Sequence, residues 1–389
     1  MNTATYDVMV IGGGPAGSTA ARHLALQGLR VGLLEKETSP RYKPCGGVLA
    51  RRIAEVLDFP IDTVIEGSIS EILITVEMHS PFRTRCPSPF AFLCMRDQFD
   101  NLLLKKASDA GVDVFLDEAL LDVELSGSTY ELMTSKARRT AQFLVAADGA
   151  NSTVRSCLDM PPFQRTSVAY QMEISGDPDL VKSWGESIAL DFGHLSSGYA
   201  WLFPKADHFS IGAGGTRREA RELKPYCQAF IDFHASRIGD TTPLKSRGHP
   251  VPTRTRGEPI TADRVIFIGD AAGLVDPMTG EGIYYAIRSA LIAAETIKTA
   301  IKSRDNNLIT YQQRIDQELQ PEFQVARTLL FLLDLAPAYW VPRLMNETHP
   351  FWHYFHQIFM GEKTYQDFPD NFGIAGRLLF AILDSVLPG

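Results

Sequence analysis

The stretch "YDVMVIGGGPAGSTAARHLALQGLRVGLLEK", residues 6–36, decides the fold. Tyr6–Gly12 is a short unbroken apolar run, the pattern of a parallel strand buried on both faces. The glycines interrupt it, Pro15 takes the start of a helix, and Gly28 closes that helix. "RVGLLEK" reads as a second buried strand ending on Glu35. Within this strand–helix–strand unit, Gly12, Gly14 and Gly17 satisfy G-x-G-x-x-G. The glycines permit a tight turn, let backbone N–H groups approach a pyrophosphate, and allow close helix packing. The helix N-terminus adds partial positive charge. Glu35, about twenty residues beyond the loop, stands where a carboxylate takes ribose hydroxyls and repels a 2′-phosphate. The stretch predicts a dinucleotide site, not one for NADP, to which Pro15, Ala16 and Lys36 also contribute.

The chain has 389 residues, more than one hydrophobic core usually carries, so at least two lobes are expected. Apolar content of 45% and charged content of 22% are those of an ordinary globular protein. A net charge of -8 gives no basic surface for nucleic acid. Cys45, Cys86, Cys94, Cys157 and Cys227 contain no CxxC pair, so neither a zinc site nor a disulfide framework is signalled, and a reducing cytoplasmic compartment is expected. The N-terminus lacks the basic region and cleavage site of a signal peptide. "TLLFLLDLAPAYWV" from Thr328 is broken by Asp334 and Pro337. It falls short of the roughly 20 apolar residues of a membrane span, which leaves association with a membrane surface open. His349, His353 and His356 share one helical face, but no acidic or cysteine ligand accompanies them and aromatics surround them. Packing, with no metal, is expected.

Further along, Arg96 to Ala110 reads as an amphipathic helix and Val112 to Ala146 as short strands with a turn at Ser126–Ser128. "QFLVAADGANS" is a strand ending in a turn at Asp148 and Gly149. Residues 163–254 alternate as antiparallel strands, interrupted by a helix near Glu219 to Arg237. "DRVIFIGDAAGLVDPMTGEGI" returns to a buried strand tipped by Gly269 and Asp270, followed by Pro277, Gly280 and Gly282 before a long helix opening at Ile283. An aspartate at a strand tip can hold a polyol such as a ribityl chain, although Asp270 alone serves equally as a turn or cap residue. The following helix points its positive end where a flavin's N1/O2 edge gathers charge on reduction. From Asn306 the chain reads as helical and aromatic-rich.

GGGPAG with Glu35, then the ADG and GDAAG strings, resemble FAD enzymes of the aromatic-hydroxylase type over roughly residues 5 to 300. That group includes class A monooxygenases, flavin-dependent halogenases and geranylgeranyl reductases. The resemblance implies FAD and an α/β (α+β) fold. Its Rossmann-like FAD-binding domain, of the aromatic-hydroxylase/glutathione-reductase type, would be discontinuous over 1–75, 96–160 and 255–303. An antiparallel β-sheet substrate domain would take 76–95 and 161–254, and a C-terminal helical region 304–389. Arg96 matches the arginine that opens the helix after the first sheet insertion and contacts FAD.

"KPCGG" (43–47), "GYAWLFPK" (198–205) and, more weakly, "GEKTY" (361–365) are similar to the geranylgeranyl reductase branch. By that likeness the loop around Cys45 runs toward the isoalloxazine ring. Gly46 and Gly47 would free the backbone to approach the flavin, and Arg41 and Lys43 would bring positive charge to the phosphates or the reduced ring. Cys45 becomes the candidate catalytic residue, a buried small residue being the plainer reading. Tyr199 and Trp201 alternate with Ala200, so with Phe203 they wall an apolar cleft or simply fill the sheet core. The implied activity is reduction of isolated C=C bonds in a geranylgeranyl-type chain by hydride from reduced flavin. The alternative is a class A monooxygenase (hydroxylase) or a halogenase of the same fold. Halogenases of the group keep a lysine in the first insertion and a W-x-W-x-I-P string. Here "EILITVEMHSPFR" (71–83) has no lysine, and Tyr199 replaces the first tryptophan. With no second nucleotide domain, NAD(P)H or ferredoxin would dock transiently as electron donor, and an apolar prenylated small molecule would be the substrate.

Overall fold

The computed structural model describes residues 5–335 and 350–386. Strand Tyr6–Ile11 pairs in parallel with Val31–Leu34 on one side and Arg138–Ala146 on the other. Asp113–Phe115 and Val265–Phe267 extend the parallel array at its two ends. A hairpin, Leu120–Ser126 with Thr129–Thr134, and the short strand Thr261–Ala262 complete this eight-stranded nucleotide sheet. Its central strands are apolar without alternation, and Val8, Met9 and Val10 are fully buried. Helix Pro15–Leu26 covers it, packed between helices Arg96–Asp109 and Ile283–Ser303. The close approach that the glycine pattern predicts is literal. A Cβ on Gly17 would lie 1.9 Å from the Gly12 carbonyl oxygen, and Gly12 itself has φ +108°.

The second sheet has seven strands in the order Pro243–Thr253, Arg165–Ser175, His208–Thr216, Tyr199–Pro204, Ser187–Phe192, Glu71–Val76, His79–Arg85. It is antiparallel except where Glu71–Val76 runs parallel to Ser187–Phe192. The division at residue 75 drawn from sequence therefore falls inside a strand of this wall sheet. "EILITV" is an apolar run, and such a run does not reveal which sheet will hold it. Val48–Ala50, Ala91–Cys94 and Ile65–Ile69 form a three-stranded sheet joining the loop around Cys45 to the wall. The helix near Glu219 to Arg237 is present as Leu223–Phe233 and Ala235–Ile238. Pro178–Ser183 is an additional short helix, capped by the Asp177 side chain.

C-terminal helices Ile309–Glu318, Gln320–Leu335, Pro350–Met360 and Gly373–Val386 close one side. The fully buried Arg254 ties the end of the wall sheet to the first of them, donating to Asp316 Oδ1 at 2.5 Å and to the Glu258 carbonyl at 2.9 Å. Among the described residues no helix is long and apolar enough to cross a membrane.

Gly17→Ala tests the nucleotide unit. Because the obstructing atom is backbone, the loss should exceed the roughly 1–3 kcal/mol of ordinary overpacking. A shifted urea midpoint at constant m-value measures it. A midpoint like wild type would mean that the helix can slide off the loop.

Candidate active site

A cavity of about 1030 Å³ runs from the glycine loop, past residues 41–47, to the aromatic face of the wall sheet. At the polar end, Glu35 accepts the Gly13 N–H at 2.9 Å and the Glu37 N–H at 3.1 Å, and lies 3.3 Å from Arg41 Nε. Arg41 Nη2 is 3.6 Å from Asp100 Oδ2, and Asp100 takes a two-pronged contact from Arg96 at 2.8 and 3.0 Å. Glu35, Arg41, Asp100 and Arg96 therefore alternate in charge beside the cavity. Burial alone would lower the Arg96 pKa, but Asp100 and then Cys45 outweigh it and push it up, so the guanidinium stays charged. Asp270 Oδ2 lies 3.4 Å from Lys43 Nζ and 3.7 Å from His249 Nε2. Burial would raise its pKa; Lys43 and His249 overcome this and hold the carboxyl well below its usual range.

These residues fit a dinucleotide bearing a polyol. Gly14 has only Arg41 Nη2, at 3.7 Å, near its vacant Cβ position. Asp148 accepts the Val154 N–H through Oδ2, whereas its buried Oδ1 has no protein partner. Pro15, Ala16, Glu35, Lys36, Arg96, Gly149, Pro277, Gly280, Gly282 and Ile283 line the same cavity. Gly17 and Gly269 do not. Gly269, at φ +57°, instead admits Ala16, whose Cβ would be 3.0 Å from a side chain there.

In the loop at 41–47, Cys45, Gly46 and Gly47 line the cavity, and protein packed behind the two glycines constrains them as well. A Cβ on Gly46 would meet Phe203 at 2.5 Å, and one on Gly47, which has φ +68°, would meet the Cys94 carbonyl at 2.1 Å. Both glycines are required by protein packed against the loop. Lys205, buried at the end of the "GYAWLFPK" string, donates to the Gly46 carbonyl at 2.7 Å and the Cys94 carbonyl at 2.8 Å. Sequence reasoning quoted this lysine without assigning it a role; its place directly after a strand rich in aromatics was the available signal. Cys45 is half-buried, and its Sγ accepts the Gly47 N–H at 3.4 Å.

Tyr199, Trp201 and Phe203 share the cavity face as their alternation requires, with ring centroids 5.8 and 6.2 Å apart in sequence. Trp201 and Phe203 are buried and Tyr199 is partly buried, while all three line the cavity, so they serve as sheet core and cavity wall together. Trp201 lies over Gly212, where a Cβ would come within 2.2 Å of the indole. Tyr199 donates to the Thr279 carbonyl, joining the wall to the turn before helix Ile283–Ser303. Beyond them, Phe351, Trp352, Phe355 and Phe359 from helix Pro350–Met360 line the apolar end. Only tertiary packing brings them there. His349 lies outside the described residues, while His356 is buried and stacks on Phe90 at 4.6 Å. Arg52 Nη2 contacts Glu281 Oε2 at 2.5 Å, and the Gly361 turn of "GEKTY" leans on the Arg52 stem.

Residues 5–319 match the family model described as FAD binding domain. The digeranylgeranylglycerophospholipid reductase of Thermoplasma volcanium is 32% identical, covering 77% of this chain and 80% of that protein. The chloroplastic geranylgeranyl diphosphate reductase of Nicotiana tabacum is 28% identical, covering 84% and 74%. A solved geranylgeranyl bacteriochlorophyll reductase-like protein from Thermoplasma acidophilum superposes with a TM-score of 0.79 at 26% identity, over 87% of this chain and 90% of that one.

Lys205→Met should free two buried carbonyls and cost about 1–3 kcal/mol. The loop should loosen with it, so Cys45 should react faster with iodoacetamide, read residue by residue by mass spectrometry. Unchanged Cys45 alkylation would show that the remaining contacts suffice to hold the loop.

Proposed function

We propose that this chain, which belongs to the FAD binding domain family and within it to the geranylgeranyl reductases, reduces isolated carbon–carbon double bonds in a prenyl chain. It is a flavin-dependent oxidoreductase. The observation that carries the finer reading is the two-ended cavity, polar along the glycine loop and apolar between the wall sheet and helix Pro350–Met360.

FAD, once bound and reduced, supplies the hydride. The glycine loop and Glu35 would hold its adenylate half, and Asp148 and Asp270 its hydroxyl-bearing chain. An unactivated alkene has no carbonyl to polarise, so alignment and exclusion of water matter more than a strong base. Tyr199, Trp201 and Phe203 supply a flat apolar face that a prenyl tail can lie against. Phe351, Phe355 and Phe359 shield the same end from solvent. Cys45 lines the cavity and would contact the reacting carbons. NAD(P)H or ferredoxin, docking transiently, would restore the reduced flavin.

Chemically reduced enzyme mixed anaerobically with geranylgeranyl diphosphate should lose its reduced-flavin absorbance and yield product heavier by about two mass units per bond. A product heavier by about sixteen, formed only when oxygen is admitted, would instead establish hydroxylation. Cys45→Ser should keep its flavin and slow the reaction or redirect it to another bond, because thiol and hydroxyl differ in size, acidity and polarizability. Identical rate and product pattern would leave the thiol a packing group.

A further inference from the structure

Three residues before Cys45, Tyr42 connects the loop to a file of polar groups in the wall sheet. Its hydroxyl donates to Glu173 Oε1 at 3.1 Å, and Gln171 Nε2 donates to the same oxygen at 3.0 Å. On the other side His208 Nε2 lies 3.4 Å from Glu173 Oε2, while His208 Nδ1 is 2.7 Å from Asp207 Oδ1. Side-chain exposure falls from 88% at Asp207 to 12% at His208 and 5% at Glu173. Tyr42 and Gln171 face the cavity. The file therefore leads from solvent to the cavity wall beside Cys45.

Such a file is costly to build into a sheet. Burying a carboxylate and an amide in mid-strand carries a desolvation penalty of several kcal/mol that apolar residues would avoid. Two acceptors also lack a hydrogen-bond partner in the protein, Gln171 Oε1 and Glu173 Oε2, the latter facing His208 Nε2 across an ion-pair distance of 3.4 Å.

We propose that His208, Glu173 and Tyr42 form a proton path into the cavity, and that Tyr42 donates the proton that completes reduction of the double bond. The proposal rests on the alkene-reductase reading. One alkene carbon takes the hydride supplied by reduced flavin, and the other takes the Tyr42 hydroxyl proton. Two C–H bonds form, the π bond is lost, and the flavin is oxidised by two electrons. The Tyr42 oxygen recovers a proton from the His208 imidazolium by way of Glu173, and water reprotonates His208.

The surrounding charges keep this path loaded. Burial would raise the Glu173 pKa, but the facing His208 ring and the Gln171 amide outweigh it, so the carboxylate stays ionised. Burial would lower the His208 pKa, but Glu173 and Asp207 outweigh it and push it up. Burial, then Glu173, raises the Tyr42 pKa and keeps the phenol neutral, with Arg247 opposing and Cys45 reinforcing. Lys205 acts on Glu173, Glu66 faces Lys205 and His208 from strand Ile65–Ile69, and Lys245 Nζ sits 4.8 Å from the Tyr42 ring centre. A raised histidine pKa means that the proton is held at low pH and lost as pH rises through the folded value. The path is thus full on the acid side and empties above the ordinary histidine range of about 6.5.

The test is anaerobic multiple turnover of holoenzyme kept reduced by excess dithionite, with geranylgeranyl diphosphate across pH 5.5–9, alongside NMR titration of the His208 ring in the resting protein. Wild type should lose rate along an alkaline limb that coincides with the His208 titration. Tyr42→Phe should slow reduction by about 100-fold or more, the scale of a lost general acid, with FAD content and melting temperature retained. Glu173→Gln should lower the His208 titration midpoint and move the limb with it. If wild type reduces the substrate while Tyr42→Phe and Glu173→Gln keep its rate and pH profile, the path is overturned and the reductase reading stands. If wild type reduces no prenyl substrate, the reading falls and the path falls with it.

Discussion

Lys205 Nζ lies between the carbonyls of Gly46 and Cys94, two segments far apart in the chain. Lys205 is 5% exposed, and its ammonium keeps these two partners only if both carbonyls stay where they are. Around that fixed point the loop at 41–47 is held from both lobes. Lys43 reaches Asp270 at the tip of the nucleotide sheet, Tyr42 reaches Glu173 in the wall, and Arg41 joins Glu35 to Asp100. The aromatic wall then packs directly on Gly46. A short loop so anchored keeps a fixed distance between the polar end and the apolar end of one cavity.

The anchoring also explains how two unlike environments share that cavity. Ionised groups lie on the side of the glycine loop, each beside an opposite charge, which keeps charge stable when partly removed from water. The opposite side presents aromatic rings from the wall and from helix Pro350–Met360. A charged group and an apolar one suit these two environments respectively, and neither would settle in the other's place.

Local chemistry made the first unit legible. Glycines, a proline at the helix start and an acid after the second strand all act within one short stretch, and the backbone follows them. The alternation of Tyr199, Trp201 and Phe203 likewise reported a shared face. What sequence could not convey depends on partners distant in the chain. Gly46 read as room for a cofactor, with no sign in the sequence that Phe203 also packs against it. Strand Glu71–Val76 looked equally apolar for either sheet. Glu173 and His208 sit on different strands and meet Tyr42 only in the folded protein. The aromatics of Pro350–Met360 read as helix packing because nothing in their spacing indicates a cavity.

The wall sheet ends at one side on Pro243–Thr253, an outer strand exposed from Pro243 to Gly248, which contains Pro243, Pro250 and Pro252 and carries Lys245 and Arg247. A proline has no N–H to offer a neighbouring strand, and like charges along an open edge repel another copy of themselves. A broad sheet built to present apolar rings on its inner face would otherwise invite addition of further strands from other molecules. The edge is self-terminating. That side of the sheet is therefore poorly suited to pairing with a strand of another molecule.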